Sequence, residues 1–310
     1  MSPDPQTPSH WPGTEPTEVQ LTRGNAQLAI DLRGGGPRRL AVGDWEVLDG
    51  YQAGTVPSGR RGGVLVPWPN RLRNGRWTWN GHDLQLEVAS PATPNAMHGL
   101  VSWQRWDVVS ATEDSATVGT LVEARPGYPF RLAAALDYAL GADRLAVTLR
   151  VTNLGAEPAP FGAGMHPYLH VGATEDGGLD AAELTLPART IMEVDGGLPT
   201  GAMHPFDGDV GRIGQRSFDD PLTDLVRDDD GWARVQLRGS LGELELAVDG
   251  AWPWLQVYSA DTLPAGQRRR SLAVEPMTCP PNALADGADL VVLEPGGEWA
   301  GTWTLGWTAR

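Results

Sequence analysis

Leu132-Ala133-Ala134-Ala135-Leu136-Asp137-Tyr138-Ala139-Leu140, then Gly141-Ala142-Asp143, then Arg144-Leu145-Ala146-Val147-Thr148-Leu149-Arg150-Val151: this stretch decides the fold class. Leu132, Ala134, Leu136, Tyr138 and Leu140 occupy every second position, and Leu145, Val147, Leu149 and Val151 do so again after the turn. Successive side chains of an extended strand point to opposite faces, so a period of two gathers these residues on one face. The pattern predicts a long hairpin with one buried side.

The flanks repeat the pattern in shorter pieces. Strands are predicted over 20–23 and 27–32 across Gly24-Asn25, over 38–42 and 46–48 around Gly43-Asp44, and over 76–79 and 83–88 across Asn80-Gly81. Asn-Gly is a strong hairpin signal, because both turn positions need positive φ. Further strands are predicted over 183–186, 234–237, 243–248, 255–258, 290–293 and 299–307. No stretch has helical periodicity beyond a turn or two. Many short strands with Gly and Pro turns predict an all-β, antiparallel sandwich or barrel. No composition break or fixed-period repeat divides it. The expectation is a flexible tail over 1–17, rich in Pro, Ser and Thr, and a single catalytic domain over 18–310.

The chain has 310 residues and a formal net charge of −15, and its 24 cationic side chains are all arginine. Phosphate backbones and anionic bilayers attract basic surfaces, so neither a nucleic acid nor a membrane surface is expected as partner. No apolar run approaches membrane-spanning length, and the N-terminus lacks a charged-then-apolar signal pattern. One cysteine, Cys279, leaves no internal disulfide and fits a reducing compartment, so a cytoplasmic location is expected. Thirteen tryptophans against four phenylalanines are unusual. A flat apolar face with one N–H suits stacking on a sugar ring, and it equally suits a β core. Trp299, Trp303 and Trp307, at even spacing in a strand pattern, fit the core.

Chemistry concentrates in a few places. The apolar run from Ser271 to Val274 leads into Glu275-Pro276-Met277-Thr278-Cys279-Pro280-Pro281. Proline cannot continue a sheet ladder, so Glu275 is expected at a strand end on rigid backbone. A carboxylate fixed in that way is a candidate general base, and it equally fits an acid bonded to a neighbouring loop. His98 lies in Met97-His98-Gly99-Leu100, and His166 in Gly164-Met165-His166-Pro167-Tyr168. Each sits where a loop meets a strand. His10, His82, His170 and His204 have no such setting. No HxH or HExxH spacing occurs, and His166 and His170 in a strand context do not share a helical face, so no metal site is expected. Asp219, Asp220 and Asp224 cluster around Pro221 in a segment that reads in part as an Asp-Pro turn.

Taken in order, Pro67-Trp68-Pro69-Asn70-Arg71-Leu72, Met97-His98-Gly99-Leu100, Met165-His166-Pro167-Tyr168, Phe218-Asp219-Asp220-Pro221-Leu222-Thr223-Asp224, Leu255-Gln256-Val257-Tyr258 and Val274-Glu275-Pro276 resemble the motifs of the aldose 1-epimerase (mutarotase) family. The Glu-Pro-Met-Thr-Cys-Pro-Pro-Asn-Ala form is similar to a bacterial branch of it. The resemblance implies a galactose mutarotase-like β-supersandwich with a sugar cleft on one sheet. It implies Glu275 as general base and His166 as general acid. Asn70, Arg71, His98, Asp219 (with Asp220 and Asp224 as alternatives) and Gln256 are implied to bind hydroxyls. The implied reaction interconverts the α and β anomers of a free aldohexose, glucose- or galactose-like, with a small-molecule sugar as partner and no metal or organic cofactor. It requires an imidazole that starts protonated. A neutral sugar is expected in preference to its phosphate, because the matched positions supply one arginine, Arg71. Arg60, Arg61 and Arg268-Arg269-Arg270 read as solvated loop residues. A monomer or homodimer is expected. The competing readings are a glycoside hydrolase using Glu275 with an aspartate of 219–224, and a non-catalytic sugar-binding protein on the same fold.

Overall fold

The computed structural model describes residues 17–88, 94–173 and 176–310. The tail expected over 1–17, and His10 with it, lies outside the described residues except for Thr17. The hairpin read from the alternating leucines forms as Leu132–Leu140 paired antiparallel with Arg144–Asn153. It lies inside a nine-stranded sheet. That sheet runs from Asp107–Ala111 through Ser115–Val122, the hairpin, Glu298–Ala309, Gly242–Val248, Ala233–Arg238 and Glu183–Thr185 to Asp209–Arg212. Alternation becomes a wall of apolar side chains by register. Ala116, Tyr138, Val147, Trp303, Val248 and Ala233 stand directly opposite one another across consecutive strands, and all are buried. Val235, Leu246, Leu305, Leu145 and Leu140 form a second such row. Trp106, Trp252 and Trp303 are fully buried, so these tryptophans serve the core.

An eight-stranded sheet shares this core. Its order is Leu198–Pro205, Thr190–Asp195, Asp219–Thr223, Trp254–Tyr258, Leu272–Met277, Gly164–His166 and Gly63–Leu65, with Tyr168–Leu169 also on Leu272–Met277. Leu222, Leu255, Val257, Leu272, Val274 and Met165 point into the core, and the intervening residues point away from it. Gln256 and Glu275 are direct cross-strand partners on that outward face. A smaller four-stranded sheet, Glu18–Arg23, Ala26–Asp31, Pro37–Val42 and Trp45–Glu46, completes a large antiparallel β-sandwich. Among the described residues the α-helices are two single turns, Gly178–Ala181 and Ala283–Asp286.

Two local expectations are corrected. Glu275 is not at a strand end, because Leu272–Met277 continues past it and includes Pro276. Proline's fixed φ is compatible with extended backbone, and the strand stops only before the Pro280-Pro281 pair. Asp219–Thr223 is a strand rather than an Asp-Pro turn, with Pro221 opposite Gln256. The hairpin of Thr190–Asp195 and Leu198–Pro205 was not apparent in the sequence. Most of its residues are exposed or half-buried, so no apolar face marks it.

The rows of the nine-stranded sheet give a stability contrast. Leu246→Ala should destabilise the protein by ~2–5 kcal/mol through lost burial and a residual cavity. Val109→Ala, at a side chain that is 70% exposed on the edge strand, should change stability by no more than about 0.5 kcal/mol. Denaturant titration of both variants measures the contrast, and equal losses would mean the inward register is wrong.

Candidate active site

The outward face of the eight-stranded sheet gathers the motif residues. Glu275 comes from one central strand and Gln256 from its neighbour. Asp219 comes from the next strand, where alternation sends Asp219 and Pro221 to the Gln256 side and Asp220 and Leu222 to the other. His166 ends the strand on the opposite flank of Leu272–Met277. Two loops reach over this face. The first, 66–70, begins with a cis Val66–Pro67 bond and ends at Asn70, held at φ 54°. The second carries His98 at φ 61° and Gly99 at φ 72°. A Cβ on Gly99 would stand 2.2 Å from the Val66 carbonyl oxygen, so only glycine fits there. The loops are tied reciprocally: the His98 amide donates to the Asn70 carbonyl at 2.9 Å, and the Asn70 amide donates to His98 Nδ1 at 3.2 Å. Left-handed backbone at non-glycine residues persists only where surrounding contacts enforce it, and it clusters at functional sites.

His166 Nε2 lies 3.2 Å from Glu275 Oε1, and both side chains are almost wholly buried. Among the described residues, Glu275 Oε2 has no hydrogen-bond partner, and His166 Nδ1 has none beyond its own backbone. Burial penalises either charge. It pushes the Glu275 carboxyl well above the usual carboxylate range, with Asp219 adding to the rise and Arg71 opposing it. Burial likewise lowers His166 to about 3, and the Arg60 and Arg61 cations reinforce the effect. The resting pair therefore favours a protonated carboxyl beside a neutral imidazole. The implied reaction needs an imidazole that starts protonated, and desolvation opposes that arrangement in the resting pair. His98 is also held well below its ordinary value, by burial first and then by His166, Arg60 and Arg71. Its Nδ1 accepts from Asn70, which leaves the proton on Nε2 and makes His98 a neutral donor.

A chain of polar groups runs outward from the pair. Asn70 Nδ2 donates to Gln256 Oε1 at 3.2 Å, and Gln256 Nε2 donates to Asp219 Oδ1 at 2.8 Å. Arg71 lies 3.9 Å from the other oxygen of Asp219, and its own amide donates to Asn70 Oδ1 at 2.8 Å. Asp219 fixes which end of the Gln256 amide faces Asn70. Exposure rises along the chain, from Asn70 and Gln256, both buried, to Asp219, whose side chain is 49% exposed. The turn at Gly197 leans on Arg71, since a Cβ there would meet the guanidinium at 2.4 Å.

Glu275, His166, Asn70, Arg71, His98, Asp219 and Gln256 thus converge on one face. Asp220 points to the core side, and Asp224, just past the strand, accepts from Thr190 Oγ1. His170 bonds the Glu46 carbonyl, and His204 pairs with Glu193 on the exposed hairpin. Of the loop arginines, Arg268 and Arg270 are exposed as expected, whereas Arg60, Arg61 and Arg269 are a correction. Arg61 is buried and paired with Asp49 at 2.9 Å, and Arg60 lies over the Trp103 ring at 5.2 Å. Arg269 and Arg270 pair with carboxylates as well. Tyr168, absent from the sequence reading of the site, stacks on His166 with ring centroids 5.0 Å apart and planes within 6°. Its position two residues after His166 was the available signal, since residues i and i+2 share a strand face.

The model of the aldose 1-epimerase family matches residues 18–306 of the chain. An uncharacterized protein of Escherichia coli (strain K12), YihR, is 32% identical over 285 residues, which covers 90% of this chain and 89% of that protein. A second uncharacterized protein of that strain, YphB, is 34% identical over 164 residues, 49% of this chain and 51% of its own. Among solved structures, the GalM/aldose epimerase homologue from C. elegans superposes with a TM-score of 0.81 at 16% identity, over 94% of this chain and 98% of that one. Galactose 1-epimerase from Lactobacillus acidophilus NCFM gives 0.76 at 18% identity, over 94% of each chain. At these identities the superpositions show a shared galactose mutarotase-like fold. The match across nearly the whole chain shows that this protein belongs to the aldose 1-epimerase family.

Proposed function

We propose that the protein catalyses mutarotation of a free aldohexose, glucose- or galactose-like, with Glu275 and His166 as the proton-transfer pair. The observation that carries this reading is the buried 3.2 Å contact between Glu275 Oε1 and His166 Nε2, beside a chain of groups suited to sugar hydroxyls. In ring opening the Glu275 carboxylate takes the proton of the C1 hydroxyl while the imidazolium of His166 gives a proton to the ring oxygen. The C1–O5 bond breaks, C1 becomes an aldehyde, and rotation about C1–C2 precedes closure with the transfers reversed. The pair holds one proton before the step. It ends with a protonated Glu275 and a neutral His166, the arrangement that burial favours. Hydrogen bonds from sugar hydroxyls would support the charged arrangement needed at the start. His98 Nε2–H and Arg71 are placed to steady negative charge on oxygen.

A glycoside hydrolase would need Asp219 as its second carboxylate, yet Gln256 and Arg71 engage that group and His166 would be left without a part. A binding protein would need no acid–base pair. The assignment therefore favours an isomerase that needs only side chains.

Glu275→Gln should keep the fold and sugar binding but lower the catalysed rate ~10²–10⁴-fold, the usual loss on removing a general base. His166→Asn should lose a similar factor, and the two losses should combine less than additively because they serve one relay. Polarimetry on a freshly dissolved sugar reads both, and a Glu275→Gln enzyme above about half the wild-type rate would exclude Glu275 as the base. The pH profile follows from the shifts. A second proton on the pair must go onto an imidazole whose pKa burial lowers to about 3, so the acid limb should lie well below the ordinary histidine range. The alkaline limb reports loss of the pair's only proton, which the raised Glu275 value delays to above the carboxylate range.

A neutral aldohexose should be preferred to its 6-phosphate, since Arg71 is the arginine that joins the hydroxyl-binding chain while Asp49 engages Arg61. Rates on both sugars test this. A phosphate preference that disappears in Arg60→Ala would show that Arg60 binds substrate. Incubation with EDTA should leave the rate unchanged, because both transfers use only Glu275 and His166. A loss restored by one divalent ion would overturn the scheme.

A further inference from the structure

Stacked against His166 is a column of mostly buried groups that the reaction scheme does not use. Asp49 and Arg61 are each at most 5% exposed and pair at 2.9 Å. Asp49 also accepts from Ser271 Oγ at 2.8 Å and pairs with Arg270 at 3.2 Å. Arg61 Nη1 donates to the Ser58 carbonyl at 3.0 Å and to Ser58 Oγ at 2.8 Å, so the guanidinium has one orientation. That orientation sets it over the face of Tyr168, 4.7 Å from the ring centroid. The opposite relation continues the stack: Tyr168 lies parallel to His166 at 5.0 Å. The Tyr168 hydroxyl is anchored on the Gly59 carbonyl at 2.7 Å, and the Asp49 amide donates to the Tyr168 carbonyl at 2.9 Å. The edge contact of His98 at 5.5 Å completes the enclosure of His166.

A buried ion pair is a poor stabiliser compared with apolar residues of like volume. Its place one ring away from His166 points to another role. Asp49 is shared by two arginines, so the cluster keeps a net positive charge. A cation over an aromatic face also fixes the ring it covers. We propose that Arg61, held by Asp49 and acting through Tyr168, is a positioning residue that sets the plane of the His166 imidazole and strengthens it as a proton donor to the sugar ring oxygen. The proposal rests on the acid–base reading of His166. The other groups facing the imidazole are Glu275 from the neighbouring strand, His98 from the loop over the sheet, and Arg60 from the Arg61 loop. None of these changes in the variants below.

The test combines kinetics with NMR titration of the His166 ring in histidine-labelled protein, assigned with His166→Asn. Tyr168→Phe keeps the stack and should retain most activity. Tyr168→Leu removes the stack and should lower kcat ~10–100-fold, a typical loss for a misplaced reacting group, with KM within about twofold, as expected when only transition-state interactions are lost. Arg61→Met removes the cation, and the His166 titration should move upward toward its ordinary value. Asp49→Asn leaves the cation less compensated, and the titration should not rise. Should Arg61→Met fail to fold, the other two variants decide: a rise of the His166 titration in Asp49→Asn, or wild-type kcat in Tyr168→Leu, overturns the proposal. The proposal is overturned if Tyr168→Leu keeps wild-type kcat, or if folded Arg61→Met leaves the His166 titration where it was. If His166→Asn is fully active while Arg61→Met still moves the titration, the column stands and the acid–base reading fails.

Discussion

Two ionisable side chains buried against each other constrain everything else in this site. Either charge alone is costly away from water, and burial of both favours the arrangement in which they cancel internally. With Glu275 Oε1 and His166 Nε2 3.2 Å apart and both buried, the protonation of one bears on that of the other. That coupling suits a reaction that removes one proton from a sugar and returns one elsewhere on it. No net proton needs to enter or leave the site during a turnover.

The sheet supplies this pair at small conformational cost. Glu275 and Gln256 are cross-strand partners in the middle of the eight-stranded sheet, where backbone pairing on both sides fixes their direction. The core faces of the same strands carry Leu255, Val257, Leu272 and Val274, so the packing that folds the sandwich also aims the outward residues. The less regular part of the site is in the loops, where Asn70, His98 and Gly99 hold left-handed backbone. Their reciprocal amide bonds stabilise that geometry and select one tautomer of His98.

Legibility in the sequence followed physical contrast. The 132–151 hairpin was readable because one face is apolar throughout and buried. The hairpin of Thr190–Asp195 and Leu198–Pro205 was not, because it buries little on either face. Motif order located the residues that converge on the outward face. Strand parity separates Asp219 from Asp220, and it could not be used while Pro221 suggested a turn. Pro276 suggests a strand end at Glu275, yet proline's φ is compatible with extended backbone and the strand runs on to Met277. The Asp49–Arg61 pair joins two loops through tertiary structure alone, so no local pattern announces it. The protonation of His166 depends on burial, which composition does not reveal.

The most direct measurement is the protonation state of Glu275 in the resting protein near neutral pH. Infrared difference spectroscopy of wild type against Glu275→Gln reports it through the carboxyl stretch. The prediction is a protonated-carboxylic-acid band in the wild type that is absent from the variant, together with a neutral His166 ring by NMR. An ionised Glu275 beside an imidazolium in the sugar-free protein would contradict it.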